Sequence, residues 1–148
     1  MSEFGTATED LIESICKRMF LAEFTVRSPN YRKSNGTEKE AADVLIPSRD
    51  VLIAFQVKTF KPEGPPVSED VWSGRVTKKV EDGIRQIRTI QRAVRNDWIA
   101  SVKTARWVEL PFSCAAIRKI IGVVILEVHG EGEKPREQQS WLIHGFHL

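Results

Sequence analysis

Ile120-Ile121-Gly122-Val123-Val124-Ile125-Leu126 is an almost purely apolar run, rich in β-branched residues, inside the segment from Ile117 to Val128. No polar residue marks a solvent-facing side, and that is the pattern of a central strand covered on both faces. A sheet containing such a strand needs helices packed against it. One is predicted from Lys78 to about Trp98: at 100° per residue, Val80, Gly83, Ile84, Ile87, Ile90, Val94 and Trp98 fall on one side. Another opens at Thr6-Ala7-Thr8-Glu9-Asp10, with hydroxyls to cap it and acids in its first turn. Leu11, Ile12, Ile15 and Phe20 give that helix an apolar stripe and carry it to about Met19–Leu21.

Two further β-rich runs lie between the helices. Glu40-Ala41-Ala42-Asp43-Val44-Leu45-Ile46 and Val51-Leu52-Ile53-Ala54-Phe55-Gln56-Val57-Lys58 flank the turn formers Pro47-Ser48-Arg49-Asp50, so they read as a hairpin. Alternation puts Leu52, Ala54, Gln56 and Lys58 on one face and Val51, Ile53, Phe55 and Val57 on the other. Asp, Gln and Lys on adjoining strands are poor core material. Asp43 is the hardest to explain as structure alone, because a carboxylate between Ala42 and Val44 is costly without a partner.

A short strand is predicted at Phe24-Thr25-Val26 and others at Arg106–Leu110 and Trp141–Phe146. Ser28 to Gly36 reads as a loop, Gly130 to Gln139 as a polar turn, and Lys61 to Gly74 as a long loop because Pro62, Gly64, Pro65 and Pro66 interrupt it. That loop follows Lys58 directly, so it serves either as a cover for the hairpin's end or as a solvated connector. The order α-β-β-β-α-β-β implies an α/β fold, a mixed central sheet flanked by helices. A length of 148 residues suits a single domain spanning residues 1–148.

Asp43, twelve intervening residues and then Gln56-Val57-Lys58 resembles the signature of the PD-(D/E)XK nuclease superfamily, in the Gln-x-Lys variant of Mrr-type restriction endonucleases. Gly5-x-x-x-Glu9 is similar to the opening of archaeal Holliday-junction resolvases, and the likeness runs from roughly Gly5 to Asn96. Ala42 stands where the superfamily has proline, and Gln56 where it usually has an acid. The resemblance implies a restriction-endonuclease-like αβββαβ core and an Mg²⁺-dependent deoxyribonuclease, with Mn²⁺ able to substitute, acting in restriction, repair or defence. It implies Asp43, Gln56, Lys58 and Glu9 as catalytic residues. The metal would be held by Asp43, by Glu9 or Glu13 one helical turn on, and by the backbone carbonyl of Val57. Such an ion keeps several waters and takes one or two carboxylates. Lys58 would position or deprotonate the attacking water, or stabilise charge on the phosphate. Glu40 and Gln86 are auxiliary candidates, although odd spacing on a regular strand would point Glu40 away from Asp43.

The net charge of +2 conceals a concentration of cations. Between Arg75 and Arg106 nine Lys/Arg face three acids, Glu81, Asp82 and Asp97. Lys78, Arg85, Arg88, Arg92 and Arg95 cluster opposite the helix's apolar side, and of the five only Lys78 has an acid, Asp82, at i+4. A one-signed stripe suits a polyanion such as DNA, while the alternative is a solvated face. A non-catalytic nucleic-acid-binding module and a protein-interaction domain therefore remain open beside the nuclease. Trp72, Trp98, Trp107 and Trp141 would serve the second of these, or core and rim packing.

No apolar run reaches the ~18–20 residues of a membrane span, and Met1-Ser2-Glu3-Phe4 lacks a basic n-region, so a cytoplasmic location is expected. Cys16 and Cys114 have no metal-type spacing and read as reduced, buried small hydrophobes. His129, His144 and His147 lack ligand spacing as well. A homodimer or a larger assembly is compatible with all of this.

Overall fold

A computed structural model of the chain describes residues 3–20, 26–27, 29–32, 36–61, 68–99, 102–103, 109–110, 113–128 and 140–147. Helix α1 is Glu3–Phe20. Five short or medium strands follow: β1 Val26–Arg27, β2 Asn30–Arg32, β3 Glu38–Glu40, β4 Val44–Ser48 and β5 Val51–Phe60. Then come α2 Glu69–Arg95, β6 Val102–Lys103, β7 Glu109–Leu110, a 3₁₀ turn at Cys114–Ala116, β8 Lys119–Val128 and β9 Ser140–His147.

The protein is mixed α/β, with two helices and two sheets among the described residues. The larger sheet has strand order β1-β4-β5-β8-β9. β1, β4 and β5 form an antiparallel meander, β5 pairs in parallel with β8, and β9 returns antiparallel. A parallel pair needs a crossover, and α2 lies within the chain joining β5 to β8. The apolar run at Ile120–Leu126 is therefore interior to the sheet, with Gly122 and the residues Val123 to Leu126 all buried.

The two faces of this sheet carry different helices. Ile12 and Cys16 of α1 pack with Val44, Ile46, Val57, Val123 and Ile125. Ile90, Ala93 and Val94 of α2 pack with Leu45, Leu52, Ala54 and Ile120. The predicted alternation of β5 thus holds, with Leu52, Ala54 and Gln56 toward α2. Two glycines allow α2 to come this close. A Cβ on Gly83 would stand 2.6 Å from Val124 Cγ1, and one on Gly122 would stand 2.5 Å from Ile87 Cγ2.

Several expectations need correction. α1 begins at Glu3, so Thr8 lies inside the helix, where it joins Ile12 and Cys16 in the buried stripe at i, i+4, i+8. Leu11 and Ile15 are 48% and 41% exposed and are not its core face. α2 starts at Glu69, within the expected loop: Ser68 sits at the N-cap position and Glu69 and Asp70 complement the helix dipole. Phe60 and Trp72 meet edge to face with centroids 5.9 Å apart, pinning this first turn to the end of β5. The helix stops at Arg95 because Asp97 takes φ 53° and two reverse bonds close it, Asp97 N–H to Val94 O and Trp98 N–H to Ala93 O, a Schellman ending. Trp98 is consequently outside the helix and 40% exposed.

The segment read as a loop after Ser28 instead supplies β2 and, with β3, one end of a second antiparallel sheet of order β3-β2-β6-β7. Tyr31 anchors it, its ring buried in the α2-side core, which overrides weak local propensity. Pro47 belongs to β4, leaving only Arg49 and Asp50 as the hairpin loop, with Arg49 at φ 50°. β1 covers only the last residue of the predicted 24–26 strand and β7 only the end of 106–110; the rest of both lies outside the described residues. So do Pro62 to Val67, Trp107, His129 and Gly130 to Gln139, and the side chains of β9. Cys16 and Cys114 are free and buried, as expected.

Candidate active site

β4 is irregular just where the hairpin should be longest. Its ladder with β5 runs from Ser48↔Val51 to Val44↔Phe55. Asp43 adds one further main-chain bond, its N–H donating to Phe55 O at 3.0 Å, and sits in a bend. Beyond it β4 offers β5 no main chain, and the Asp43 carboxylate takes over: Oδ2 accepts the Val57 N–H at 2.5 Å. A strand residue's N–H and C=O project to the same edge. The Val57 carbonyl therefore lies on the edge that Asp43 occupies, past the last backbone partner from β4.

Asp43 is half-buried, and its pKa is pushed from 3.8 to about 6. Desolvation is the largest cause; the Val57 N–H opposes it, Glu9 adds to it, Lys58 opposes it and Glu40 adds to it. The same set of influences locates the neighbours. Glu9 approaches from α1, where it follows the buried Thr8 and is itself half-buried. Lys58 approaches from β5, half-buried. Glu40 approaches from the end of β3.

Glu40 departs from the phase argument made on sequence. Ala41 and Ala42 belong to no strand, and the Ala41 N–H bonds to Pro29 O at 2.7 Å. The alternation between residues 40 and 43 is therefore broken, and Glu40 is within the electrostatic reach of Asp43. Glu13, the alternative on α1, is instead bound to Lys17 at 2.7 Å and does not figure among the groups acting on Asp43. Among the described residues, no group of three or more His, Cys, Asp or Glu side chains is arranged to hold a metal ion.

Gln56 faces the α2 side and is buried. It lines a cavity of about 210 Å³ with Tyr31, Lys39, Glu40, Gln86 and Thr89. Glu40 lines this cavity and also acts on the Asp43 carboxyl through its charge. Gln86, an uncertain auxiliary on sequence, reaches the cavity from α2. Tyr31, Lys39 and Thr89 were not foreseen; Tyr31 and Lys39 come from the sheet that was read as loop.

Lys78, Arg85, Arg88, Arg92 and Arg95 are all exposed on α2. Arg75 and Lys79 extend the same exposure. One correction applies: Arg85 is paired with Asp82 at 2.7 Å, an i,i+3 contact, so the stripe is not of one sign throughout. No helix among the described residues is long and apolar enough to cross a membrane.

No protein-family model, no curated protein and no solved structure matches this chain.

Proposed function

We propose that the chain is an Mg²⁺-dependent phosphodiester hydrolase acting on DNA, with a restriction-endonuclease-like core. In support of that core, β1, β4 and β5 pair antiparallel and α2 lies in the crossover to the parallel β8, although β2 and β3 intervene between β1 and β4. The observation that carries the reading is Asp43: a half-buried carboxylate held on the Val57 amide, within the electrostatic reach of Glu9 and Lys58, with its pKa pushed up to about 6.

A carboxylate raised by burial and by two other acids stands in a site short of positive charge. That environment fits a divalent cation, and Asp43, Glu9 and the Val57 carbonyl are the groups that would hold it, with Glu40 in support. One or two carboxylates with neutral oxygens suit Mg²⁺, which retains most of its waters. When bound, the ion supplies charge neutralisation at the phosphate and a water that is nucleophilic at neutral pH. Lys58 orients that water or offsets charge building on the phosphoryl oxygens. Asp43 keeps Val57 in place through its Oδ2, so the strand edge is fixed before any ligand arrives. Arg88, Arg92, Arg95 and Lys78 hold the DNA backbone, with Arg85 partly neutralised by Asp82.

The test compares wild type with Asp43→Asn on plasmid DNA in Mg²⁺ or Mn²⁺. Cleavage should vanish in the variant while DNA binding persists, and Lys58→Ala should lose ~10²-fold or more. Identical traces for wild type and Asp43→Asn would refute the hydrolase. The cationic face of α2 does not depend on the acids, and it favours the second reading, a nucleic-acid-binding module without catalysis.

A further inference from the structure

Gln56 is 4% exposed, the most deeply buried polar side chain among the described residues. Buried amides are normally hydrogen-bonded, and a ligand in the space beside Gln56 would meet its donor and acceptor atoms. It lines the cavity beside Asp43, and the cavity's about 210 Å³ exceeds the ~150 Å³ that admits a benzene ring. The chemistry of the walls selects among occupants. Lys39 and Glu40 bring opposite charges, so the lining favours neither an anion nor a cation. Gln56 and Gln86 each present a carbonyl acceptor and an NH₂ donor. The Thr89 hydroxyl donates to Arg85 O at 3.0 Å, leaving its lone pairs for the cavity. The matching ligand is neutral, ring-sized and edged with both donors and acceptors, which describes a nucleobase.

We infer that this cavity receives one base turned out of the DNA, with the amides of Gln56 and Gln86 reading its edge while its phosphate lies toward Asp43. The inference rests on the reading of the chain as a DNA-acting protein and deepens it: the preferred substrate carries an unpaired or easily extruded nucleotide. Gln86 is exposed and lies on α2 between Arg85 and Arg88, so the mouth of the cavity opens beside the cationic face. A strand held by those arginines passes the opening.

Duplexes carrying one 2-aminopurine, either extrahelical or paired, test this in EDTA, where hydrolysis is suppressed. Fluorescence anisotropy reports affinity, and 2-aminopurine emission reports the base's surroundings. The extrahelical base is spared the cost of unstacking, so its duplex should bind at least ~10-fold more tightly, with a change in emission on binding. Gln86→Ala, at an exposed position that does not endanger folding, and Gln56→Leu, which keeps the bulk, should each erase that preference. Equal affinity for the two duplexes overturns the pocket, as does a preference that survives in both variants. The hydrolase reading fails separately: a bulge preference without Mg²⁺-dependent cleavage refutes hydrolysis alone, and cleavage without a bulge preference refutes the pocket alone.

Discussion

Replacing Asp43 with asparagine should stabilise the protein while removing the proposed cleavage. The carboxyl group ionises at 3.8 in an ordinary setting and at about 6 here, so the folded state holds its proton more tightly than the unfolded state. Between these values the native chain binds more protons, and linkage makes stability fall as pH rises through that window, then level off above it. Below pH 3.8 the carboxyl is neutral in both states and costs nothing. A displacement of about two pH units corresponds to about 3 kcal/mol at neutral pH, and water reaching the half-buried group screens it to about 1–3 kcal/mol. Asparagine keeps an oxygen for the Val57 N–H and removes the charge. The variant-minus-wild-type difference should therefore grow from near zero at pH 4 to about 1–3 kcal/mol above pH 7. Urea unfolding at intervals from pH 4 to 8 measures it, and the subtraction cancels the other carboxylates. Mg²⁺ should narrow the gap by stabilising the wild type selectively. A variant less stable than wild type at pH 8, or a difference that does not vary with pH, would refute the account of this site.

Reversing Arg88 and Arg92 to glutamate should weaken binding to all DNA sequences alike and lower the salt-dependence slope by about two; unchanged affinity in a filter-binding titration would mean a merely solvated face. Gln56→Glu adds an anion near Asp43, so divalent-ion affinity, read by isothermal titration calorimetry, should rise and the Asp43 pKa climb further. Identical Mn²⁺ isotherms for the two proteins would count against Gln56 lying near the metal. Gly122→Ala places a methyl against Ile87, and repacking α2 should cost about 1–3 kcal/mol in a denaturation series; a neutral result would show that α2 is free to shift.

What the sequence disclosed was mainly periodic. The apolar run of β8, the alternation of β5 and the buried side of α2 all express a repeat of two or 3.6 against a sheet, and these were legible. The second sheet was not, because Asn30 to Arg32 and Glu38 to Glu40 have little strand character of their own, and one buried ring, Tyr31, holds them. α1 misled for the opposite reason: Leu11 and Ile15 are apolar yet outward, while Thr8 faces in. Glu9 and Lys58 both act on the charge of Asp43, and their approach to it follows from the hairpin and the preceding helix. Glu40 was discounted on a regularity that the chain abandons at Ala41 and Ala42. Tyr31 and Lys39 had no local signal, because what matters about them is a meeting of segments far apart in sequence.

The Asp43–Val57 bond spans 14 residues, whereas Thr59 meets Glu127 of β8 across 68. Closing the shorter loop costs less entropy, and the cost grows with the logarithm of loop length. The strand edge bearing Asp43 and Lys58 can thus be assembled by the hairpin alone, in a chain still searching for its parallel partner. The cavity wall from α2 waits for the crossover to dock on β8. On this entropy argument the acid and the lysine come together before the distant pairing encloses Gln56, so a partly folded chain would expose the charged centre without the wall that α2 supplies.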